Sequence, residues 1–261
     1  MPTLEAAQDA AFVKLILIGD SGTGKTGGLF SLVKAGYKLR VWDYDNKIAG
    51  GILPMLIRKH CPEKLKEVEY VALRDEYRAT LGGPGYDGAP KAWAEGLALL
   101  DKWIDGSKPR EWGPDTVAVF DSITFMGDAA FNWISAMNPS VKDPRQWYGN
   151  AQKGIEKMLA IVSSIHFKTN VVAISHVNWV NRPDGTMKGY PSSIGQALDP
   201  YIPTYFENMA LCESIAQKRS IRTVPTALVD LKSPAAAFKL APQLPIETGL
   251  SDFFKTVRTH I

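Results

Sequence analysis

A glycine-rich octapeptide near the start of the chain constrains the fold more than any other segment. Residues 19–26 read Gly-Asp-Ser-Gly-Thr-Gly-Lys-Thr and directly follow the apolar run 13–18. The spacing G-x-x-x-x-G-K-T between a strand and a helix predicts a phosphate-binding loop. Glycines are needed because backbone N–H groups must wrap a polyphosphate in conformations with positive φ, which a Cβ would obstruct. The motif therefore predicts a strand–loop–helix unit that binds a nucleotide.

Two residues of this loop carry side-chain chemistry. Lys25 is expected to place a positive charge on the β- and γ-phosphates, and Thr26 to offer its hydroxyl to Mg²⁺. ATP and Mg²⁺ are therefore the expected cofactors. The residues predicted to bind the nucleotide are Gly19, Ser21, Gly22, Thr23, Gly24, Lys25, Thr26 and Gly27.

The composition is that of a globular protein with a full core. The chain has 261 residues, of which 45% are hydrophobic and 22% charged, so one domain accounts for its size. No stretch predicts a signal peptide or a membrane span, and Cys61 and Cys212 lack metal-ligand spacing. We therefore expect a cytoplasmic protein with no membrane partner. The net charge of +3 permits a polyanionic partner without requiring one.

Strands and helices are predicted to alternate along most of the chain. Near-continuous apolar strands in such an order favour an α/β fold, with a mostly parallel central sheet, helices on both faces and an antiparallel C-terminal extension. After the first strand, further strands are expected at 37–45, 68–72, 116–121 and 171–176, with antiparallel strands within 206–231.

The domain boundaries follow from this pattern. We expect residues 1–10 to form an N-terminal segment and residues 11–261 to form a single ATPase domain. Glycine, proline and small polar residues predict flexible loops at about 80–92 and 178–200.

Polar residues end several predicted parallel strands, where ligands bind in open α/β sheets. Asp121 ends an apolar strand. In phosphate-loop enzymes an acid at such a position holds Mg²⁺ together with the threonine of the loop. Thr26 and Asp121 are therefore the predicted metal ligands. Asp43 and Asp45 share one face of a strand, and either is suited to orient an attacking water; Asp45 is preferred because it lies nearer the strand end. His176 is a candidate contact to the γ-phosphate.

At these positions the chain resembles the RecA-like core ATPases, and among them phage-encoded single-strand annealing proteins of the Sak type. The resemblance is carried by the phosphate loop 19–26, Trp42-Asp43-Tyr44-Asp45, Phe120-Asp121-Ser122 and Ile174-Ser175-His176. It implies that Asp45 is the catalytic base, at a position where RecA has glutamate. It also implies that His176 occupies the polar position before the second DNA loop, where RecA has glutamine.

Two long connections that leave this sheet edge, 122–150 and 177–204, mix cations with aromatic residues. Such mixtures bind single-stranded nucleic acid, because cations follow the phosphates while rings stack on bases at about 1–3 kcal/mol each. The resemblance implies the same role for both connections. The predicted DNA-binding residues are Arg145, Trp147, Trp179, Arg182, Lys188 and Tyr190.

The resemblance further implies assembly into a ring or filament, because RecA-like ATPases commonly complete their site with basic residues of a neighbouring subunit. Lys232 resembles such a residue, and Arg222 is a weaker candidate. A cation supplied in trans stabilises charge in the transition state. A solvated lysine is the alternative interpretation of Lys232.

The leading functional hypothesis is a DNA-stimulated ATPase that acts in recombination, annealing or exchanging single strands as an oligomer, with a single-strand DNA-binding protein as a candidate partner. A helicase or helicase-loading motor is the main alternative. A small-molecule or nucleotide kinase is a further alternative, although no arginine-bearing lid is evident. A GTPase switch is disfavoured because no N-K-x-D motif follows a late strand, and Asn46-Lys47-Ile48-Ala49 lacks the acid.

Overall fold

The computed structural model describes residues 12–260, so the predicted N-terminal segment 1–10 lies outside the described residues. Short 3-10 helices lie at Pro62–Glu67, Pro109–Glu111, Ile202–Tyr205 and Pro234–Phe238. In chain order the other elements are β1 (Lys14–Ile18), α1 (Lys25–Gly28), α2 (Phe30–Lys34), β2 (Lys38–Asp43), α3 (Ile52–His60), β3 (Val68–Ala72), β4 (Tyr77–Thr80), β5 (Gly83–Tyr86), α4 (Ala92–Asp101), β6 (Gly113–Asp121), α5 (Ile123–Met137), α6 (Pro144–Ser163), β7 (Thr169–Ser175), β8 (Val177–Asn181), β9 (Met187–Pro191), β10 (Asn208–Ile215), β11 (Lys218–Arg222), β12 (Gln243–Pro245) and α7 (Gly249–His260).

Eight strands form the central sheet, in the order β12-β11-β10-β1-β7-β6-β2-β3. The six strands from β10 to β3 pair in parallel, and β11 and β12 extend the sheet with antiparallel pairing. Strand β7 lies between β1, which precedes the phosphate loop, and β6, which ends at Asp121. The predicted α/β class, with a mostly parallel central sheet and an antiparallel C-terminal extension, is confirmed.

Burial on both faces explains why the parallel strands are apolar at successive positions. Every residue of β1 and β7 is buried. Along β1, Leu15 and Leu17 belong to the apolar cluster supplied by α2, α3 and α7, whereas Ile16 and Ile18 belong to the cluster supplied by α4, α5 and α6. The alternation follows from the two-residue period of a strand. Among residues 12–260, no helix has a stretch long and apolar enough to cross a membrane.

The connections contain more regular structure than the sequence predicted. Two hairpins, β4–β5 and β8–β9, occupy parts of the segments expected to be loops. The turn of the second hairpin, Pro183-Asp184-Gly185, was a recognisable turn signal between alternating residues. The connection after Asp121 is helical, because Ser122 caps α5 by accepting a hydrogen bond from the backbone N–H of Phe125.

Candidate functional site

The phosphate loop lies at the carboxyl edge of the sheet, between β1 and α1. Gly24 has φ +97°, in the left-handed region that glycine enters without strain. The hydroxyl of Thr23 donates a hydrogen bond to the carbonyl oxygen of Asp20 over 2.8 Å, which closes the loop upon itself. The backbone conformation required to cradle a polyphosphate is therefore present.

Lys25 is buried under this loop, with only 7% of its surface exposed. Its ammonium donates hydrogen bonds to the carbonyl oxygens of Gly19, over 2.7 Å, and Asp20, over 2.9 Å. Burial lowers the pKa of Lys25, an effect that the nearby Cys212 and Asp121 oppose. Phosphate oxygens would replace these carbonyl partners with anionic ones and favour the charged ammonium.

Thr26 and Asp121 come together as the sequence predicted. The Thr26 hydroxyl donates a hydrogen bond to Oδ2 of Asp121 over 2.7 Å, and Asp121 is 3% exposed. Burial raises the pKa of Asp121 to about 7, with a further contribution from the nearby carboxylate of Asp45. A hydroxyl and a carboxylate are hard oxygen ligands of the kind that Mg²⁺ prefers, and a divalent cation would compensate the buried negative charge. The residues present therefore fit Mg²⁺.

The structure separates the roles of the two aspartates after β2. Both carboxylate oxygens of Asp43 accept backbone hydrogen bonds, from Lys47 over 3.1 Å and from Ile48 over 2.9 Å, so its carboxylate stabilises the turn. Asp45 instead faces the cleft beside the loop, and its Oδ1 accepts a hydrogen bond from the Ser122 hydroxyl over 2.8 Å. The geometry therefore favours Asp45 over Asp43 as the residue able to orient a water.

His176 lies beside the same cleft at the end of β7. Its ring packs edge-to-face against Phe125, with 6.0 Å between centroids. Burial lowers the pKa of His176, and the positive charges of Lys25 and Lys47 lower it further, while Asp45 opposes them. The imidazole is therefore neutral at pH 7, so that one ring nitrogen can donate a hydrogen bond while the other accepts one.

These groups line one open cleft of about 310 Å³. The cleft also contains Arg219, which the sequence analysis missed because the residue lies on β11, close to the turn of the C-terminal hairpin and far along the chain from the phosphate loop. The only sequence signal was a cation next to the tip of an antiparallel pair at this sheet edge. The lining residues are Ser21, Gly22, Gly24, Lys25, Thr26, Gly27, Asp45, Lys47, Ile52, Asp121, His176 and Arg219.

The β8–β9 hairpin holds four of the predicted DNA-binding residues in different settings. Arg182 is exposed and donates a hydrogen bond to the hydroxyl of Tyr190 over 3.0 Å. The indole N–H of Trp179 donates to Oδ1 of Asp20, in the phosphate loop, over 3.2 Å. Lys188 is 9% exposed and forms an ion pair with Asp230, so its ammonium is not presented to a ligand; this placement argues against its predicted contact with DNA.

The other two predicted DNA-binding residues lie in the first turn of α6. The side chain of Arg145 is 93% exposed. The indole N–H of Trp147 donates a hydrogen bond to the carbonyl oxygen of Asn138 over 3.2 Å, and the ring packs edge-to-face on Phe131 at 6.3 Å. Trp147 is therefore partly engaged in local packing. Arg145 forms an exposed ion pair with Asp143, with 3.7 Å between Nε and Oδ1, and such a pair costs little to exchange for another anion.

The two cations proposed to act across a subunit boundary lie apart from the cleft of their own chain. Lys232 is exposed, and its backbone forms an antiparallel bridge with Met209. Arg222 donates a hydrogen bond to Oε2 of Glu213 over 2.8 Å, so its guanidinium is already paired. Neither residue lines the cleft that contains the phosphate loop.

Solved structures match the chain, whereas no protein-family model and no curated protein does. Among solved structures, the chain is similar to a prototypical ATPase from the type III secretion system of pathogenic bacteria, with 15% sequence identity and a TM-score of 0.42. The similarity covers 77% of this chain and 52% of that one, so this chain spans about half the length of that ATPase.

Proposed function

We propose that this protein is a Mg²⁺-dependent ATPase. The observation that carries the proposal is the contact between Thr26 and Asp121 directly beside Lys25, because it joins a metal site to a phosphate-binding cation. Asp45, held by Ser122 at the same cleft, supplies a carboxylate suited to accept a proton from water. The strand order brings all of these side chains to one sheet edge.

In the proposed reaction, the loop and Lys25 hold the phosphate chain, and Thr26 and Asp121 would hold the metal ion. When bound, Mg²⁺ neutralises charge that develops on the phosphate oxygens. Asp45 orients the attacking water and accepts its proton as the water oxygen bonds to the γ-phosphorus, the bond from that phosphorus to the β–γ bridging oxygen breaks and ADP leaves. The hydrogen bond from Ser122 holds the carboxylate of Asp45 in place. Neutral His176 donates a hydrogen bond towards the terminal phosphate.

The test compares variants of Lys25 with a matched surface control. Lys25→Ala removes the cation that faces the β- and γ-phosphates, so ATP turnover should be abolished and ATP affinity strongly reduced, while circular dichroism stays unchanged. Lys34→Ala removes an exposed lysine at the end of α2 and should retain both ATP turnover and ATP affinity. Normal ATP hydrolysis by Lys25→Ala would refute the assignment of the site.

We further propose that the ATPase acts on single-stranded DNA in a recombination reaction of the phage annealing type. The support is the exposure of Arg145 and Arg182 on two segments that leave the same sheet edge. The segment after β9 connects the β8–β9 hairpin to α6, because Gln152 of α6 donates a hydrogen bond to the carbonyl oxygen of Ile194 over 3.0 Å. The hydrogen bond from Trp179 to the phosphate loop connects the hairpin to the nucleotide site.

A salt titration tests DNA binding. The logarithm of affinity for single-stranded DNA should fall linearly with the logarithm of salt concentration, with a slope of about −0.7 per neutralised phosphate. Arg145→Ala and Arg182→Ala should each make the slope shallower by about that amount, whereas Lys59→Ala, at the far end of α3, should not. Absence of DNA binding and of DNA-stimulated ATP hydrolysis would leave the ATPase and refute its proposed action on DNA. Strand separation without annealing would instead favour the helicase-type motor.

The oligomeric part of the proposal assigns Lys232 to the site of a neighbouring copy. Lys232→Ala should then bind ATP but lose turnover. Mixing it with Asp45→Asn should restore part of the activity, because some interfaces would combine an intact base with an intact lysine. No recovery in mixtures shown to co-assemble would refute the role of Lys232 in trans.

A further inference from the structure

The hairpin between β10 and β11 brings a second cation to the phosphate loop of the same chain. We propose that Arg219 binds the α- and β-phosphates in cis, as a phosphate-holding residue outside the loop motif. This inference rests on the proposed ATPase function and adds to it a binding residue that neither the motif nor the strand-end acids include.

The approach of Arg219 to the loop is close. A Cβ atom on Gly24 would lie 2.9 Å from Cδ and 3.7 Å from Nε of Arg219, so the arginine stem already occupies the space beside Gly24. Gly24 immediately precedes Lys25, in the part of the loop whose backbone N–H groups cradle the α- and β-phosphates. The guanidinium therefore begins beside the backbone that would bind the phosphates, and Arg219 lines the cleft.

The direction of this approach complements the other charged groups. Strand β11 lies on one side of β1 in the sheet, whereas β7, β6 and β2, which end near His176, Asp121 and Asp45, lie on the other. A bound phosphate chain would therefore have the metal ligands on one flank and Arg219 on the opposite flank. Mg²⁺ and Lys25 leave part of the negative charge of a triphosphate unbalanced, and a guanidinium binds such oxygens in bidentate fashion.

Arg219 also has the free charge that this role requires. Within residues 12–260, no carboxylate lies within salt-bridge distance of its guanidinium, whereas Arg222 on the same strand is paired with Glu213 at 2.8 Å. The side chain of Arg219 is exposed, so its guanidinium loses little hydration in the folded protein. An unpaired arginine aimed into a phosphate-binding cleft is suited to an anionic ligand.

The turn that positions Arg219 gives independent support. Ala216 and Gln217 connect β10 to β11 with φ of 47° and 66°, in the left-handed region that disfavours both residue types. A two-residue turn of this form matches the strand twist and sets the register, in which Arg219 pairs with Ser214. Strained backbone is retained where the surrounding structure or a ligand requires it.

The experiment measures binding of ADP and ATP to Arg219→Ala, with Lys218→Ala as the matched control. Lys218 is exposed on the same hairpin but its side chain leaves the opposite face of the strand. Loss of a charge-assisted contact to the α- and β-phosphates should weaken both nucleotides by about tenfold or more, raise KM, and leave kcat nearly unchanged. Arg219→Lys should recover only part of the affinity, because lysine keeps the charge but not the planar fork. Lys218→Ala should bind both nucleotides as the wild type does.

The outcomes separate this inference from the proposed function. If the wild type binds no nucleotide, the ATPase proposal itself fails. If the wild type binds nucleotide and Arg219→Ala binds it equally well, only the role of Arg219 is refuted. A fall in kcat with unchanged ADP affinity would also refute a ground-state phosphate contact. At ATP concentrations below KM, recovery of turnover on mixing Arg219→Ala with Lys25→Ala would show that the arginine acts in trans, contrary to the proposal.

Discussion

The buried carboxyl of Asp121 makes the stability of the nucleotide-free protein depend on pH in a direction unusual for an aspartate. Its pKa is raised from 3.8 to about 7, mainly by burial. Between these two values the folded state keeps a proton that the unfolded state has lost, so the free energy of unfolding falls as pH rises. Each pH unit of this difference corresponds to about 1.4 kcal/mol, so the protein loses about 4 kcal/mol by the time pH passes 7.

Asp121→Asn should abolish this loss, because asparagine is neutral at all these pH values and has nearly the same shape. Urea unfolding in the presence of a metal chelator, at about pH 5 and about pH 8, measures the effect. The variant should already be more stable than the wild type by about 1.6 kcal/mol at the lower pH, because that pH lies above the unfolded-state pKa, and by about 4 kcal/mol at the higher pH. Mg²⁺ with nucleotide should stabilise the wild type and not the variant.

Asp115→Asn is the control for this experiment, because Asp115 is exposed on the same strand and its substitution should leave the pH dependence unchanged. The reasoning would be refuted if Asp121→Asn and the wild type lost stability in parallel between the two pH values. A variant less stable than the wild type at the higher pH would contradict it equally.

Three further predictions concern other parts of the site. Asp45→Asn should bind ATP with nearly wild-type affinity in equilibrium titration but hydrolyse it at least about a hundredfold more slowly, because it lacks the base; an equal loss of binding would contradict this role. Replacing Ala216 by Asn together with Gln217 by Gly should raise the free energy of unfolding by about 1–2 kcal/mol, since both new residues tolerate positive φ; an unchanged urea midpoint would show that the turn is not strained. Nucleotide should change the tryptophan emission of the wild type and of Trp147→Phe but not of Trp179→Phe, because among the tryptophans within residues 12–260 only Trp179 donates a hydrogen bond to the phosphate loop. An equal change in all three proteins would exclude Trp179 as the reporter.

Local sequence was sufficient to predict the phosphate loop and the acid Asp121 at the end of its strand. A G-x-x-x-x-G-K-T motif is contiguous, and its glycines and lysine act through their own backbone and immediate neighbours. The run of apolar residues before Asp121 likewise specifies a strand buried on both faces, whatever lies beside it. For the same reason the α/β class and the parallel sheet were predictable from the alternation of patterns along the chain.

The remaining site residues depend on contacts between segments that are far apart in sequence. Asp43 and Asp45 share one face of an idealised strand, and only the turn after β2, whose backbone N–H groups bind Asp43, sends Asp45 to the cleft. Ser122 meets Asp45 because β2 and β6 are neighbours in the sheet.

Contacts between distant segments also decided which cations are available to bind a ligand. The sequence marks Lys188 only as a cation, and the fold places Asp230 beside it. The sequence marks Arg219 only as a hairpin residue, and the sheet order places β11 beside β10, which pairs with the strand β1 that leads into the phosphate loop. Sequence alone determined which residues were chemically able to bind a nucleotide. Which of them meet at one site was decided by strand order and register, since these are set by long-range pairing and not by any local pattern.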